Sequence, residues 1–357
     1  MSERIQENLK IAEYFCLRNK SKWAIPYLNV VVALTGNHPP ENVAYMFLKA
    51  GQFQRGWALF EFRDRGYQNN AWLTLDCLWR GQSLMGSRLL LLDEQGCGDM
   101  IMFARYVKEL KALGIAHLTV VVRPQLIRLF RSMREIDYVD EKTEVGHYDY
   151  WMSLLDAPLR LGTNPISFPN ALPYLYADSG LIEHWKSRVP VNGFRVGLVW
   201  RGSGEYINDA VRSLPNLNTL APLWKVSDVQ FVSLQKGPGE YEAASPPVDQ
   251  PLLHLGSELE DFADTAAIIA QLDLIISVDT AVAHLAGALG KPVWVLLPGL
   301  SSCWRWLDEG NGSHWYPSVM RLFRQSMDDA EKGDWSKVVD DVAQALREKT
   351  KKRRWWQ

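Results

Sequence analysis

The sequence predicts an α/β protein in which two Rossmann-like halves follow a short all-helical region. Two stretches of the chain alternate short apolar runs, typical of buried parallel strands, with amphipathic helical segments. Residues 4–66 show helical periodicity alone, with apolar residues three and four positions apart. A chain of 357 residues is also long for a single core, so we expect more than one domain.

The helical region, residues 1–80, is expected to contain two helical hairpins. Breaks at Asn19-Lys20, at 36–40 and at Gly51 separate four helices. Small residues at helix–helix contact spacing make the hairpins similar to tetratricopeptide units, and two units are fewer than a repeat array usually needs to be stable alone. We therefore expect the region to pack on the next domain. The predicted helices cover residues 5–17, 22–34, 41–50 and 53–63.

The two α/β halves are expected at residues 81–178 and 193–330, with an interdomain connection at 179–192 and a C-terminal helix and basic tail at 331–357. Each half is typical of a doubly wound parallel sheet, and such sheets bind ligands at the carboxyl ends of their strands. We therefore expect a functional cleft between the halves. Strands are predicted at 89–92, 118–122, near 138, 150–154, 195–200, 230–234, 274–278 and 293–297, and helices at 100–113, 124–133, 180–188, 261–270, 281–289 and 338–346.

Composition and charge exclude several classes of protein. The net charge of −2 gives no electrostatic case for a nucleic-acid partner. No apolar run of about 18 residues is free of charges, so we expect no membrane span, and the polar opening MSERIQENLK does not resemble a secretory signal. The four cysteines lie far apart without a Cys-x-x-Cys pair, so neither a zinc site nor a disulfide framework is expected. A reducing cytoplasm fits this composition best.

The most informative stretch is LIISVDTAVAHLAGALGKPVWVLLP, residues 274–298. An apolar strand ends at Asp279 and Thr280, which favour a helix start, and a small-residue helix and a second strand follow. Because Ala281 adds almost no bulk, a diphosphate can approach the first N–H groups and the positive end of the helix dipole. An ordinary capped βαβ unit is the alternative. His284, one turn inside the helix, either touches a phosphate or ribose or is a core histidine bonded to a backbone carbonyl.

Cationic groups follow two other strands of the second half. Arg201 and Ser203 lie in a glycine-bearing loop after one strand, with Arg212 nearby, and Lys236 follows the next strand in the same topological position. Arginine binds phosphate oxygens bidentately and lysine supplies a point charge. Each feature alone is also typical of a solvated surface loop. Their convergence with the helix N-terminus at one sheet edge is what indicates a phosphate site.

The loop after the first strand carries a candidate acid–base residue. Gly96 and Gly98 permit a tight turn and a close ligand approach, and Gln95 lies in the same loop. Asp99, at the start of the next helix, is placed to act as a general base on an acceptor hydroxyl. Capping of its own helix is the alternative. The third glycine of a dinucleotide fingerprint is Ile101 here, so a dinucleotide site is not favoured.

Six ordered motifs resemble those of bacterial glycosyltransferase-like proteins with N-terminal tetratricopeptide repeats, which are related to the ADP-heptose:lipopolysaccharide heptosyltransferases. The resemblance covers roughly residues 40–345. It implies a GT-B fold and transfer from a nucleotide sugar, usually with inversion, that needs neither a metal ion nor a cofactor. The motifs are DEQGCGDMIMFARYV, VWRGS with NDAVRSLP, FVSLQKG, the run from LGSELED to VWVLLP, WRWL and WYPSVMRLFRQ.

The resemblance also implies roles for single residues. Asp99 matches the acidic residue assigned as the base in the N-terminal loop of the heptosyltransferases. Asp279, Thr280 and His284 match the motif that contacts the donor, and Lys236 matches a phosphate-facing lysine. One departure is the sequence Trp-Arg-Gly-Ser, where relatives often have Trp-Ala-Gly-Asn, so this loop is expected to be retuned.

The leading hypothesis is a glycosyltransferase that moves a sugar from an ADP-heptose-like donor or a UDP-sugar to a hydroxyl of a glycan, lipopolysaccharide, lipid-linked or protein acceptor. A non-catalytic, repeat-bearing interaction protein on a degenerate scaffold is the main alternative, and a nucleotide-sugar epimerase is a third. Nucleotide binding separates the enzyme from the interaction protein. The basic, aromatic tail at 349–356 either docks on an anionic membrane surface from the cytoplasmic side or is a frayed terminus.

Overall fold

The chain divides into two compact units in a computed structural model. Unit 1 comprises Met1–Leu175 together with Ser302–Glu309, and unit 2 comprises Tyr176–Ser301 together with Gly310–Gln357. The segment predicted as an interdomain connection, 179–192, therefore groups with unit 2. The structure describes residues 2–36, 38–65, 73–141, 146–164, 167–205 and 208–354.

Unit 1 begins with the four predicted helices. Their apolar faces form a core that includes Leu9, Leu28 and Phe47. The second helix starts later than predicted because Ser21–Ala24 forms a 3₁₀ turn. The helices are α1 (Glu3–Leu17), α2 (Ile25–Thr35), α3 (Asn42–Lys49) and α4 (Phe53–Phe60).

A parallel sheet follows the helices of unit 1, and its four predicted strands are confirmed in position. The strands are β1 (Arg88–Leu92), β2 (His117–Val121), β3 (Tyr138–Asp140) and β4 (Tyr150–Ser153), and the helices between and after them are α5 (Cys97–Phe103), α6 (Tyr106–Lys111), α7 (Ile127–Phe130) and α8 (Ala157–Arg160). The strand order is β3-β2-β1-β4, with every pair parallel. All four strands therefore end at the same edge of the sheet.

The single helix predicted at 100–113 is wrong, because this segment forms the separate helices α5 and α6. Arg105 lies at the break and is 3% exposed. Its Nε donates to the carbonyl oxygen of Met102 (2.9 Å) and its Nη1 to that of Pro169 (3.1 Å). In an unbroken helix the Met102 carbonyl would accept the N–H of Tyr106. The side chain of Arg105 thus donates to a carbonyl that a continuous helix would use for its own hydrogen bond. Hydrophobic periodicity cannot predict this contact.

A buried ion cluster joins the helical region to the sheet of unit 1. Arg63 donates Nε and Nη2 to the two carboxylate oxygens of Glu94 (2.6 and 2.5 Å) and Nη1 to Asp156 (2.8 Å). Burial alone would raise the pKa of Asp156, but the neighbouring Arg63 and Arg65 hold that pKa below its ordinary value. The helices therefore pack on the domain that follows them through specific charged hydrogen bonds as well as apolar contact.

Replacing Arg63 with Met leaves the carboxylates of Glu94 and Asp156 buried without a guanidinium group. The loss of one partner of a buried ion pair costs about 3–5 kcal/mol. We therefore expect Arg63→Met to lower the urea midpoint of unfolding clearly. Arg188→Met is the matched control, because it removes an exposed pair with Glu258 and should leave the midpoint near that of the wild type. Equal midpoints for the two variants would contradict the role given to the cluster.

Unit 2 is built on a six-stranded parallel sheet, and the strands predicted at 274–278 and 293–297 are confirmed residue for residue. Its strands are β5 (Phe194–Val199), β6 (Val229–Ser233), β7 (Leu253–His254), β8 (Leu274–Val278), β9 (Val293–Leu297) and β10 (Met320–Arg324). Its helices are α9 (Ser179–Lys186), α10 (Asp209–Arg212), α11 (Glu240–Ala244), α12 (Phe262–Gln271), α13 (Ala281–Ala288), α14 (Met327–Glu331) and α15 (Ser336–Arg354). The strand order is β10-β9-β8-β5-β6-β7. Strands β6, β5, β8 and β9 are thus consecutive neighbours in the sheet.

The C-terminal helix is longer than predicted. Helix α15 extends to Arg354 and packs Val339, Val342 and Leu346 into the core of unit 2. Trp355 and Trp356, on which the predicted membrane contact depends, lie outside the described residues, so this contact stays a prediction. Within the described part of the chain, no helix is both long enough and apolar enough to span a bilayer.

Residues 302–309 leave unit 2 after β9, belong to unit 1, and return to unit 2 before β10. We call this segment the strap. Its Trp304 packs edge-to-face on Trp57 of α4, with 5.4 Å between the ring centroids. The sequence predicted a plain continuation of the second half here. The strap instead lies on the helical region, because its aromatic side chains are buried there.

Candidate active site

The unit β8–α13–β9 has the geometry of an open helix N-terminus. Thr280 is the N-cap residue, with extended backbone angles (φ −140°, ψ 168°), but its side chain makes no capping hydrogen bond. Its hydroxyl lies 2.9 Å from the hydroxyl of Ser277 instead. Ala281 is partly exposed and opens the helix. The Thr280 side chain therefore does not cap the first N–H groups of α13, and an anion binds at a helix N-terminus through such N–H groups.

Two ionisable residues of this segment, Asp279 and His284, lie in the protein interior. Asp279 is 8% exposed and His284 is 4% exposed, with 4.0 Å between Oδ1 of Asp279 and Nε2 of His284. The other ring nitrogen, Nδ1, lies 3.0 Å from the hydroxyl of Tyr316. Gly287 makes room for that tyrosine, because a Cβ at this position would lie 2.4 Å from its ring. His284 is therefore a buried residue beside Asp279, hydrogen-bonded to a tyrosine hydroxyl.

One glutamine holds the loops that follow β5 and β6. Gln235 is 1% exposed, and its Oε1 accepts the backbone N–H groups of Trp200 and Arg201, each at 3.0 Å. Its Nε2 donates to the carbonyl oxygens of Arg201 (3.1 Å) and Pro238 (2.7 Å). Two loops at adjacent strand ends are thus tied by one side chain, and the direction of each loop is fixed by backbone hydrogen bonds rather than by the strands alone.

The predicted cationic groups all have partners within the protein. Arg201 donates to the carbonyl oxygen of Pro215, and its Nη2 lies 3.6 Å from Glu242. Arg212 pairs with Asp209 (2.5 Å), and Lys236 donates to the carbonyl oxygen of Leu259 (2.7 Å). Guanidinium and ammonium groups carry several donors each, so a phosphate can still bind to those that remain. Ser203 is exposed in the same loop as Arg201.

A pocket of about 650 Å³ opens in unit 2 next to the loop after β5. The N-terminus of α13 and Lys236 are not among its lining residues, so the structure separates the predicted donor residues into two groups. Because β5 and β8 are neighbours in the sheet, both groups belong to the same carboxyl edge. The pocket is lined by Arg201, Gly202, Gly204, Asp209, Ala210, Val211, Ser213, Leu214, Pro215, Pro238, Leu300, Ser301, Gln325, Ala330, Gly333 and Trp335.

In unit 1, Asp99 makes the predicted cap and also an ion pair that the sequence did not indicate. Its Oδ2 accepts the backbone N–H of Gly96, the N-cap residue of α5 (3.0 Å). Its Oδ1 pairs with Nη2 of Arg305 from the strap. The carboxylate is 16% exposed, so it remains open to a ligand. The cap does not exclude an acid–base role, because a carboxylate oxygen has two lone pairs.

The turn before Asp99 differs from the prediction. The left-handed backbone conformation falls on Gln95 (φ 62°), whereas Gly96 is extended and Gly98 lies within α5. The expected tight turn is therefore not made by the glycines. Nε2 of Gln95 donates to the hydroxyl of Tyr45 from α3 (2.6 Å). Burial raises the pKa of Tyr45 to about 12, so its hydroxyl is neutral at physiological pH.

The β8–α13–β9 unit carries the signature of an enzyme family. Residues 257–297 match the model of glycosyltransferase family 9 (heptosyltransferase). This segment of the chain is similar to glycosyltransferase family 9. The matched segment contains four predicted donor residues, Asp279, Thr280, Ala281 and His284, and it ends with β9.

Longer similarities extend over most of the chain. Over 348 residues it is 29% identical to Protein FlbA of Caulobacter vibrioides, which covers 87% of this chain and 56% of that protein. The chain thus spans little more than half the length of the curated relative that it matches.

Two solved structures have the same fold. The family 9 glycosyl transferase of Veillonella parvula has a TM-score of 0.52 at 14% identity, over 71% of this chain and 90% of its own. The E. coli ADP-heptose lps heptosyltransferase II has a TM-score of 0.51 at 15% identity, over 73% of this chain and 99% of its own. These likenesses show the GT-B fold that the sequence predicted, with two Rossmann-like units after a helical region.

Three residues of these sites were missed by sequence reasoning. Gln235, Arg305 and Tyr316 all lie within the motifs that resemble family 9 relatives, so a signal was present. Each acts through a hydrogen bond to a residue distant in the chain, with separations of 34, 206 and 32 residues. Spacing alone gives no partner at such distances.

Gln235→Leu removes the acceptor for two backbone N–H groups and the donor for two carbonyls. An unsatisfied buried polar group costs about 1–3 kcal/mol, so we expect a clear drop in the melting temperature and weaker nucleotide binding. Gln250→Leu is the matched control, since this equally buried glutamine of unit 2 donates to Asn218 and lies away from the two loops. A drop in nucleotide affinity for Gln250→Leu as large as for Gln235→Leu would contradict the assignment of Gln235 to the site.

Proposed function

We propose that this chain is a glycosyltransferase that moves a sugar from a nucleoside diphosphate sugar to an acceptor hydroxyl, without a metal ion or cofactor and with inversion. The observation that carries the proposal is the coincidence of two independent features. The family 9 match covers the β8–α13–β9 unit, and the same unit presents an uncapped helix N-terminus with small residues around it. This geometry suits a diphosphate.

In the proposed donor site the diphosphate lies at the N-terminus of α13. Asp279 and Thr280 precede this end of the helix. Lys236 lies in the loop after β6, and Arg212 ends α10, which follows the neighbouring strand β5. Fixed N–H dipoles and cationic side chains stabilise the negative charge that grows on the leaving nucleoside diphosphate. In other transferases a divalent cation stabilises this charge. The pocket beside Arg201 is large enough for a further part of the donor.

In the proposed reaction Asp99 is the general base. As the acceptor oxygen attacks the anomeric carbon, Asp99 takes the hydroxyl proton, and the bond between that carbon and the diphosphate oxygen breaks with its electron pair on the diphosphate. Attack from the face opposite the leaving group inverts the configuration. The carboxylate is held by Gly96 and Arg305 and remains partly exposed, as a base requires.

The donor is an ADP-heptose-like sugar or a UDP-sugar, and the acceptor is a hydroxyl of a glycan, a lipopolysaccharide, a lipid-linked glycan or a protein. The name of the E. coli neighbour, an ADP-heptose lps heptosyltransferase, supports the first donor. A non-catalytic interaction protein is the second candidate. One observation favours it, because Glu242 and Pro215 already engage the Arg201 guanidinium.

A thermal-shift panel with ADP-, UDP-, GDP- and dTDP-sugars tests the donor site. A ligand at 100 times its dissociation constant stabilises by about 2.7 kcal/mol, so one nucleotide family should raise the melting temperature clearly. Asp279→Ala should abolish that shift, because it removes the carboxylate that lies beside His284 just before the helix N-terminus. The control is Asp273→Ala, at the opposite end of the same strand, where Asp273 pairs with Arg195. A folded wild type that no donor stabilises would favour the interaction protein.

Asp99→Asn tests the base. The amide keeps the shape of the side chain but cannot take a proton, and general bases contribute about 10²–10⁴-fold to rate. We expect turnover to fall by that factor while the dissociation constant for the donor stays near the wild-type value. Asp93→Asn, which changes a carboxylate of the same loop that pairs with Arg123, is the matched control and should retain turnover. Loss of donor binding in Asp99→Asn would instead mean a structural role.

A further inference from the structure

Side chains of the helical region hold the strap at both of its ends. Lys49, which ends α3 and is 7% exposed, donates to the carbonyl oxygen of Ser302 (2.6 Å). Ser21 donates its backbone N–H and its hydroxyl to one carboxylate oxygen of Asp308 (2.6 and 2.5 Å). A buried ammonium needs such a partner, because an unpaired charge in the interior is costly. The position of the strap is therefore set by residues that precede the first sheet.

Between these anchors the strap presents one guanidinium group to the loop after β1. The carbon at the centre of the Arg305 guanidinium lies 4.5 Å from the ring centroid of Trp304, and Nη1 lies 2.9 Å from Sγ of Cys303. Nη2 pairs with Oδ1 of Asp99. The Arg305 side chain is 12% exposed, so solvent screens this pair less than it screens a surface pair. Stacking and pairing together fix the plane of the guanidinium.

The two oxygens of the Asp99 carboxylate thus have separate donors. Oδ2 accepts the N–H of Gly96, and Oδ1 is paired with Arg305. A charge-assisted hydrogen bond of this kind is stronger than one between neutral groups. Two donors at fixed positions also hold the carboxylate in one orientation, and accurate orientation is a large part of the rate that an enzyme gains.

We propose that Arg305 is a positioning residue that holds the Asp99 carboxylate directed at the acceptor hydroxyl. This inference rests on the proposed function, in which Asp99 is the base. It also makes the helical region part of the catalytic apparatus, because Lys49 and Ser21 hold the strap that carries Arg305.

The test compares Arg305→Ala, Arg305→Lys and Asp99→Asn in the full chain. The substrate is the ADP-, UDP-, GDP- or dTDP-sugar that stabilises the wild type most. The assay measures hydrolysis of this donor, in which water replaces the acceptor hydroxyl and the nucleoside diphosphate is released. Arg305→Ala should lower kcat by about 10²-fold, as misplacement of a catalytic group does, with the KM for the donor near the wild-type value. Arg305→Lys keeps the positive charge but lacks the planar guanidinium group, so its kcat should lie between those of the wild type and Arg305→Ala.

Two further measurements separate positioning from a general structural role. Millimolar guanidinium chloride should restore part of the lost kcat to Arg305→Ala but none to Asp99→Asn. The double variant should lose no more than Asp99→Asn alone, because the two residues act as a unit. An unchanged or raised kcat in Arg305→Ala, or multiplicative losses in the double variant, would overturn the inference.

Failure of the proposed function has a different signature. A wild type that releases no nucleoside diphosphate from any donor contradicts the transferase, and amide hydrogen exchange then tests the positioning of Asp99 by itself. The N–H of Gly96 is bonded to Asp99, so Arg305→Ala should speed its exchange several-fold. The N–H of Ala283 in α13, bonded to the carbonyl of Thr280, serves as the reference and should be unchanged. Unchanged exchange at Gly96 would overturn the positioning role.

Discussion

Both sites depend on one constraint, the parallel alignment of the strands. In a parallel sheet every strand ends at the same edge, so the loops that follow neighbouring strands are delivered side by side. In unit 2 this brings the loops after β6, β5 and β8 to one edge, although α12 and several loops separate these strands along the chain. In unit 1 the same alignment places the loop after β1 beside the segment that follows β4. The parallel topology alone therefore brings the loops of each proposed site together.

Loops at a sheet edge have left the hydrogen-bonding ladder, and their backbone groups need other partners. Buried polar side chains supply them here. Gln235 binds backbone groups of two loops, and Arg63 holds the carboxylate of Glu94 just before the loop that contains Asp99. These side chains do not touch the proposed substrates. They fix the backbone of the loops around the proposed sites.

The fold followed from the sequence because hydrophobic period and caps are local signals. The strands at 274–278 and 293–297 could be predicted to the residue, since branched apolar runs bounded by Asp279 and by Pro292 leave little freedom. The cap made by Asp99 could also be predicted, because the N–H that it accepts lies only three residues away, at Gly96. The pairing of Asp99 with Arg305 could not be predicted, because 206 residues separate them and the sequence offers 39 lysines and arginines as possible partners for each carboxylate. At the break in the predicted helix, Arg105 binds the carbonyl of Met102 and that of Pro169, and periodicity indicates neither contact.

The strap has a consequence for synthesis on the ribosome. Lys49 and the carbonyl that it binds are 253 residues apart, so at about 5–20 residues per second roughly 13–50 s pass between their translation. During that interval the strands of the first sheet are translated, and water must hydrogen-bond to the ammonium group that the strap later covers. A ribosome that stops before residue 302 would release a chain whose unit 1 has every helix and strand but lacks its last inserted piece. Completion of the N-terminal unit is therefore timed by the C-terminal part of the gene.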